Sequence, residues 1–269
     1  MLQTRYNSIP MPIITLTTDF GTRDYYAAVV KGEILSAIAD AQIIDISHDI
    51  EPFDIMHGAY VLKNAYPHFP AGSIHIIGVN LNSETGLNHL VAAKDGHTFI
   101  GPDNGIFGLL WEGEPAAEAY QLQPTAAEYA STLPVKDLYV RVAKHICEGG
   151  KLTDIGKKSS ALRQSMIGRP MSSANYIRAS IIYFDRFENA IVNIRKDEFD
   201  RIGNNRPFVI FFKRYDDIEA ISENYFDVPE SEKLCLFNSG GYLEIAINKG
   251  NARGLLNLNI GDIVQVDFK

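Results

Sequence analysis

Residues 13–32, IITLTTDFGTRDYYAAVVKG, decide how this chain is read. Ile13 to Leu16 form an apolar lead into Thr17-Thr18-Asp19, a glycine follows at Gly21, and an apolar-rich segment continues to Lys31-Gly32. The pattern predicts a buried strand, a polar turn at its carboxyl end and a helix. In an open α/β sheet such a turn is a ligand-binding place, because it lies outside the strand ends and beside a helix N-terminus. Asp19, Thr22, Arg23 and Asp24 crowd it, as expected of a site carried on a loop. The competing reading is structural, with Thr22 or Asp24 capping the helix.

Working outward, residues 25–39 carry apolar positions at helical spacing, and 42–46 (QIIDI) read as a strand. Ser47 or Asp54 is placed to cap a helix over 54–65, closed by Pro67 and Pro70. A third strand is expected at 74–79, and 90–93 with 98–100 read as a hairpin about Asp95-Gly96. A short apolar helix ends near Trp111. This alternation predicts an α/β N-terminal domain, a mainly parallel sheet with helices on both faces. After about residue 165 helical periodicity stops. Short strands are expected at 179–184, 190–194, 207–212, 234–238, 243–247 and 260–267, separated by turn residues, which predicts an all-β C-terminal barrel domain. The expected domains are 1–165 and 175–269, with 166–174 as linker.

The chain has 269 residues, 46% hydrophobic and 22% charged, with a net charge of −8. That balance argues against a nucleic-acid backbone as partner and favours a cationic ligand. Cys147 and Cys235 lie far apart, which fits a reducing compartment and gives no thiolate zinc set. No apolar run approaches a membrane-spanning length, and MLQTRYNSIP lacks the apolar core of a signal peptide. A cytoplasmic protein with no membrane partner is expected.

Three constellations carry possible chemistry. Asp19, Asp24, Asp45, Asp49 and Asp54, with His48 and His57, could hold a divalent cation, although their spacing matches no tight metal motif. A metal-dependent hydrolase is therefore a third-ranked reading, and His48 is better read as a loop histidine with a carboxylate partner. In 181–189 (IIYFDRFEN), Asp185 offers a carboxylate to a cation, Phe187 a π face and Asn189 an amide for a ring edge. By composition this is also a hairpin turn. In 238–252 (NSGGYLEIAINKGNA), glycines after Ser239 allow close approach to backbone N–H groups, which suits a carboxylate, and again a hairpin is the plain alternative. No P-loop, spaced GxGxxG or GxSxG occurs, which removes nucleoside-triphosphate kinase, nicotinamide dehydrogenase and serine hydrolase readings.

Together, TLTTDFGTRDYYAAVVKG, ISHDIEPFDIMHGAYVL with AYPHFPAGSIH, FIGPDNGIF, IIYFDRFENAIVNI and NSGGYLEIAINKGNA resemble the S-adenosyl-L-methionine hydroxide adenosyltransferase family, which includes fluorinases and chlorinases. The resemblance spans nearly the whole chain in family order. It implies a homotrimer whose sites lie between the N-domain of one subunit and the C-domain of its neighbour. It implies nucleophilic attack at the ribose 5′ carbon, with S-adenosyl-L-methionine as substrate and no cofactor. Carried over by position, Asp19 would hold the ribose hydroxyls and Asp24 and Asp185 the methionine ammonium. Phe53 would pack near the ribose and sulfonium, and Asn189 would bond the adenine. Tyr225 would stack on that ring, and Ser239 would meet the methionine carboxylate. Phe187 belongs to the same binding set.

Water-using members carry an Asp-Arg-His set, and this chain departs from it. The VDPGVG-like segment reads Val79-Asn80-Leu81-Asn82-Ser83-Glu84, the following Thr85-Gly86-Leu87-Asn88-His89 has no arginine, and the TFHGRD-like segment reads Thr132-Leu133-Pro134-Val135-Lys136-Asp137. Asn80 and Pro134 stand where the acid and imidazole belong. Asn80, Asn82 or Ser83 is then the expected holder of an attacking water, and His89 or His97 a substitute base, each histidine also readable as a surface-turn residue. The leading function is cleavage to adenosine and L-methionine. The alternative is an adenosyl-ligand binding protein without turnover.

Overall fold

Among the described residues two sheets carry the fold, one of seven strands and one of eight. The structure is a computed structural model that describes residues 11–81, 87–112, 114–159, 162, 163, 165, 169–213 and 216–269. It divides into two units, Met1–Ser165 and Met166–Lys269. The first runs β1 (Ile13–Thr18), α1 (Tyr26–Ala37), β2 (Gln42–Ser47), α2 (Ile55–Ala65), β3 (Ile74–Gly78), β4 (His89–Lys94), β5 (His97–Pro102), α3 (Ile106–Leu110), β6 (Glu118–Leu122), α4 (Ala126–Tyr129), α5 (Val140–Cys147) and β7 (Gly156–Lys158). The second runs β8 (Met171–Ser172), β9 (Tyr176–Phe184), β10 (Ala190–Arg195), α6 (Lys196–Gly203), β11 (Phe208–Lys213), β12 (Asp216–Ile218), β13 (Lys233–Phe237), β14 (Tyr242–Ile247), α7 (Ala252–Leu255) and β15 (Ile263–Phe268). In the first unit the strands are ordered β2-β1-β3-β5-β4-β6-β7, and in the second β12-β11-β15-β9-β10-β14-β13, with β8 paired to β9.

The first sheet is mixed. β2, β1, β3 and β5 are parallel, while β4, β6 and β7 continue antiparallel from the Asp95-Gly96 hairpin. Register is fixed by a buried row, Leu16 opposite Ile76, Ile76 opposite Ile100, and Ile100 opposite Val91. A one-residue slip would turn that row to the other face, which is why apolar patterning specifies register. Val30 and Ile34 of α1 and Val142 and Ala143 of α5 close over this face. α2 lies against α3, where Gly58 permits the approach, since a Cβ there would stand 3.2 Å from Val79 and 3.3 Å from Ile106. β1 has β2 on one side and β3 on the other, so the chain reverses its direction of travel across the sheet at β1. The crevice at the carboxyl end of such a strand is the usual ligand position.

The second unit is an antiparallel, nearly closed barrel. Just past β12, Ile221 bridges Cys235 of β13, and the Ser222 amide donates to the Cys235 carbonyl at 2.7 Å, so the two ends of the sheet meet. Ile177, Ile181, Val192, Ile210, Ile245 and Val264 fill its interior. The expected absence of helices here is corrected by α6, which brings Phe199 against Phe208, Phe237 and Phe268 with ring centroids 5.1, 5.3 and 5.4 Å away. Its KDEFDRIG sequence has too few apolar positions to show a period. Its signals are Asp197 and Glu198 in the first turn and Asn204 left-handed at φ 47° after the last, which suit the helix dipole and a C-terminal stop. Met171–Ser172, inside the stretch expected as linker, pairs with β9.

His75 is fully buried in β3, with Nδ1 2.7 Å from the Thr15 hydroxyl and Nε2 3.1 Å from Nδ1 of His97. Burial, and then the neighbouring His97, push its pKa down to about 3. The unfolded chain, with a histidine pKa of about 6.5, therefore binds the proton over a window where the folded chain does not. This contribution is complete above that value and is lost as pH falls toward 3. Urea midpoints should drop on acidification from pH 7, with a stability slope of up to about 1.4 kcal/mol per pH unit from this residue. His75→Gln should flatten the slope between pH 6.5 and 5, and a slope unchanged by that substitution would refute the assignment.

Candidate functional site

At the carboxyl end of β1 the Asp19 carboxylate gathers the loops that follow β2 and β3. Its Oδ2 accepts the Phe53 amide at 3.0 Å and the Asn80 amide at 2.9 Å. The Asp19 amide itself donates to the Gly78 carbonyl at 3.2 Å. Both residues bound to the carboxylate are left-handed, Phe53 at φ 67° and Asn80 at φ 50°. Asn tolerates that region, whereas a Phe there is strained, and such strain persists only where the surroundings enforce it. Phe53 is nonetheless 62% exposed. Asn80 is also held from its other side, because Asn104 Nδ2 donates to the Val79 and Asn80 carbonyls, each at 3.0 Å. Asn104 was missed on sequence; its only signal is its place in Gly101-Pro102-Asp103-Asn104-Gly105.

The turn after Asp19 is not explained by helix capping. Tyr25 is the residue that precedes α1, and no side chain caps it. Thr22, Arg23 and Asp24 are exposed. Asp54, by contrast, caps α2 by accepting from the Met56 and His57 amides at 2.9 and 3.0 Å. His57 Nδ1 accepts the Glu51 amide at 3.0 Å. His48 is buried, with Nδ1 2.7 Å from the Thr18 hydroxyl and Nε2 3.1 Å from Asp45. Partial burial disfavours the charge on Asp45, but Lys31 and His48 outweigh it and hold the carboxyl below its ordinary value. These members of the acidic set thus hold the sheet edge together, as the carboxylate-partner reading of His48 expects. Among the described residues no three His, Cys, Asp or Glu side chains group as metal ligands.

Asn82 and Ser83 lie outside the described residues. Pro134 immediately precedes a π-helical turn, Val135–Tyr139, that runs into α5. Its missing N–H is harmless there. Val135 sits against the end of β3, since a Cβ on Gly78 would stand 3.0 Å from it.

In the second unit Asp185 organises the β9–β10 hairpin. Its Oδ1 accepts the Phe187 and Asn189 amides at 2.9 and 2.8 Å, and Oδ2 accepts Asn189 Nδ2 at 3.1 Å. Asn189 is buried and Phe187 is 74% exposed. The hairpin reading of this segment is therefore correct in geometry. The Asn189 side-chain amide thus donates within the hairpin, to Asp185. Tyr225, in a one-turn helix Tyr225–Asp227, donates its hydroxyl to Glu244 Oε1 at 2.8 Å. Glu244 is 2% exposed, and burial raises its pKa, with nearby Asp185 adding to the rise. Burial and Glu244 likewise raise that of Tyr225. Glu244 was missed on sequence, although a lone carboxylate in the apolar run YLEIAI was its signal. Ser239 is exposed at the tip of the β13–β14 hairpin. The amides of Gly240 and Gly241 already donate to the side chain and carbonyl of Asn238, at 3.0 and 2.8 Å. The expected backbone cradle is thus used by the hairpin itself.

Residues 14–156 match the model of the SAM hydroxide adenosyltransferase N-terminal domain and residues 179–265 that of its C-terminal domain. The chain belongs to this family. It is 35% identical to a Methanocaldococcus jannaschii protein named (R)-S-adenosyl-L-methionine hydrolase, over 96% of this chain and 97% of that one. It is 23% identical to a fluorinase of Actinopolyspora mzabensis, over 97% and 98% of the two chains. A solved structure of an uncharacterized conserved protein from Thermotoga maritima superposes with a TM-score of 0.84 at 26% identity, covering 94% of this chain and 99% of the other. Family membership thus extends over both units.

Asp19→Ala should unpair the Phe53 and Asn80 amides and release two left-handed residues, lowering stability by about 1–3 kcal/mol. Asn80→Gly should be neutral or mildly stabilising, and Asn80→Val destabilising by about 1–2 kcal/mol, because only the former suits a positive φ. Thermal unfolding of the three variants checks this; equal losses for glycine and valine at position 80 would contradict the clamped left-handed geometry.

Proposed function

We propose that this protein binds S-adenosyl-L-methionine and cleaves it by nucleophilic attack at the ribose 5′ carbon, water giving adenosine and L-methionine. The observation that carries this reading is the cluster in the second unit. There Asp185 holds Asn189, Tyr225 is bonded to the buried Glu244, and the Asp185 charge helps to raise the pKa of Glu244. Carboxylates beside exposed aromatic faces suit a cation attached to a heteroaromatic ring. The relatives' names, carried by proteins aligned along nearly the full chain, support the same ligand. In this reading Asp19 receives the ribose hydroxyls through the lone pairs its two amides leave, Phe53 covers the sugar and sulfonium, and Asp24 and Asp185 hold the ammonium. Phe187, Asn189 and Tyr225 take the adenine, and Ser239 takes the methionine carboxylate. Asn80, with Asn82 and Ser83, orients the nucleophile. The substrate is the only small molecule required, no cofactor enters, and the working assembly is a homotrimer.

The chemistry needs no general acid, because the sulfonium leaves as a neutral thioether. It does ask for a nucleophile in line with the C5′–S bond, held close. Incubation of the purified protein with S-adenosyl-L-methionine should release adenosine and methionine in equal amounts. The R and S sulfur epimers should be supplied separately, since the name of the Methanocaldococcus jannaschii relative specifies R. Asp185→Ala should weaken ligand binding about 10- to 100-fold, the size of a lost charge-assisted contact. Binding without product would leave the adenosyl-ligand binding protein and overturn cleavage. No binding of either epimer would overturn both.

A further inference from the structure

Attack by water leaves a proton to be removed, and neither Asn80 nor Pro134 can accept it. His89 and His97 are the alternatives on sequence, and the sheet separates them. β5 runs parallel to β3, so His97, its first residue, lies at the amino edge, where it is bonded to the buried His75. β4 runs the other way. His89, its first residue, is paired with Pro102, the last residue of β5, and so lies at the carboxyl edge, the edge that Asp19 and Asn80 occupy. The half-buried His89 ring has Nδ1 2.7 Å from the hydroxyl of Tyr139, whose side chain is fully buried. Tyr139 ends the π turn that begins at Val135, and Val135 faces Gly78 beside Phe20 and Thr18. One helical face therefore runs from the Asp19 turn, across the end of β3, to His89.

We propose that His89, oriented by Tyr139, accepts the proton of the attacking water in this chain. The proposal rests on the cleavage reading above. Burial lowers the pKa of His89, which keeps its ring neutral and able to accept at neutral pH. The proposed tautomer carries its proton on Nδ1 and donates it to the Tyr139 oxygen, which leaves the Nε2 lone pair as the acceptor. The water oxygen forms the bond to C5′ while the C5′–S bond breaks, and its electron pair stays on sulfur as the thioether of methionine. One water proton passes to Nε2 and from there to solvent, so sulfonium plus water yields adenosine, methionine and a proton.

The test compares wild type, His89→Gln and Tyr139→Phe by calorimetric binding of S-adenosyl-L-methionine and by single-turnover release of adenosine. Gln preserves much of the volume and the contact to Tyr139, and Phe preserves the buried ring. His89→Gln should lower the cleavage rate about 10²-fold or more with Kd within twofold of wild type, and Tyr139→Phe should lower it about tenfold at unchanged Kd. A rate in His89→Gln above half that of wild type, or rate and affinity falling together in both variants, would overturn the role of His89 alone. Wild-type protein that binds the ligand without releasing adenosine would instead overturn the cleavage reading, and this proposal with it.

Discussion

Two backbone amides, from Phe53 and Asn80, converge on a single oxygen of Asp19. They come from the loops after β2 and β3, the two strands that flank β1, so one carboxylate sets how both loops leave the sheet. The energetics favour it. A left-handed non-glycine residue costs about 1–2 kcal/mol, while a hydrogen bond to a charged group contributes about 1.5–3 kcal/mol. Two such bonds therefore outweigh the strain at both residues, and Asn104 adds a third restraint by holding the Asn80 carbonyl. Both loops are held at this edge by Asp19 and by the register of β1, in which Leu16 pairs with Ile76. In the proposed reading, ligand recognition by Asp19 and loop organisation by Asp19 are one property, and a ribose hydroxyl would share the carboxylate with amides that already orient it.

The second unit solves a similar problem differently. Asp185 folds its own hairpin with three donors and holds the buried Asn189 amide in one orientation. Glu244 does not fold a loop. It stands in the middle of an apolar strand and fixes the Tyr225 ring from below. A buried carboxylate is costly, which is why its pKa rises. A cation brought near it would relieve that cost, so the burial of Glu244 suits the positively charged ligand proposed above. The net charge of −8 is consistent with a protein that meets a cationic substrate.

The two-unit architecture was legible because its signals are periodic. Strand and helix spacing over 13–79 and the Asp-Gly hairpin define the first sheet, and closely spaced strands define the barrel. α6 was not legible, since Phe199 and Ile202 alone give no period and its stability comes from the aromatic contacts of Phe199. Asp19, Asp24 and Asp185 could be singled out because carboxylates in turns beside strands are conspicuous. What sequence could not show is which of them are engaged by backbone. The double acceptance at Asp19 links residues 34 and 61 positions apart. Nor could it rank His89 against His97, two hairpin histidines alike in composition, because only strand direction puts them at opposite edges.

The arrangement also bears on what the loss of an Asp-Arg-His set does to this fold. In the proposed reading those residues would act on the nucleophile, whereas the Asp19 clamp and the Asp185 and Glu244 carboxylates would act on the ligand, and no hydrogen bond of the clamp passes through Pro134. The substrate is activated already, since a sulfonium leaves without protonation. Removing a base from such a reaction costs about 10²–10⁴ in rate, but leaves positioning intact, and effects of groups that act as a unit do not multiply. Replacement of the set is therefore compatible with a preserved cradle. The proline at 134 is compatible too, because it sits where a helix tolerates it and leaves Val135 packed on Gly78. On that reading ligand binding and water activation rest on different side chains, so one can be lost while the other is kept.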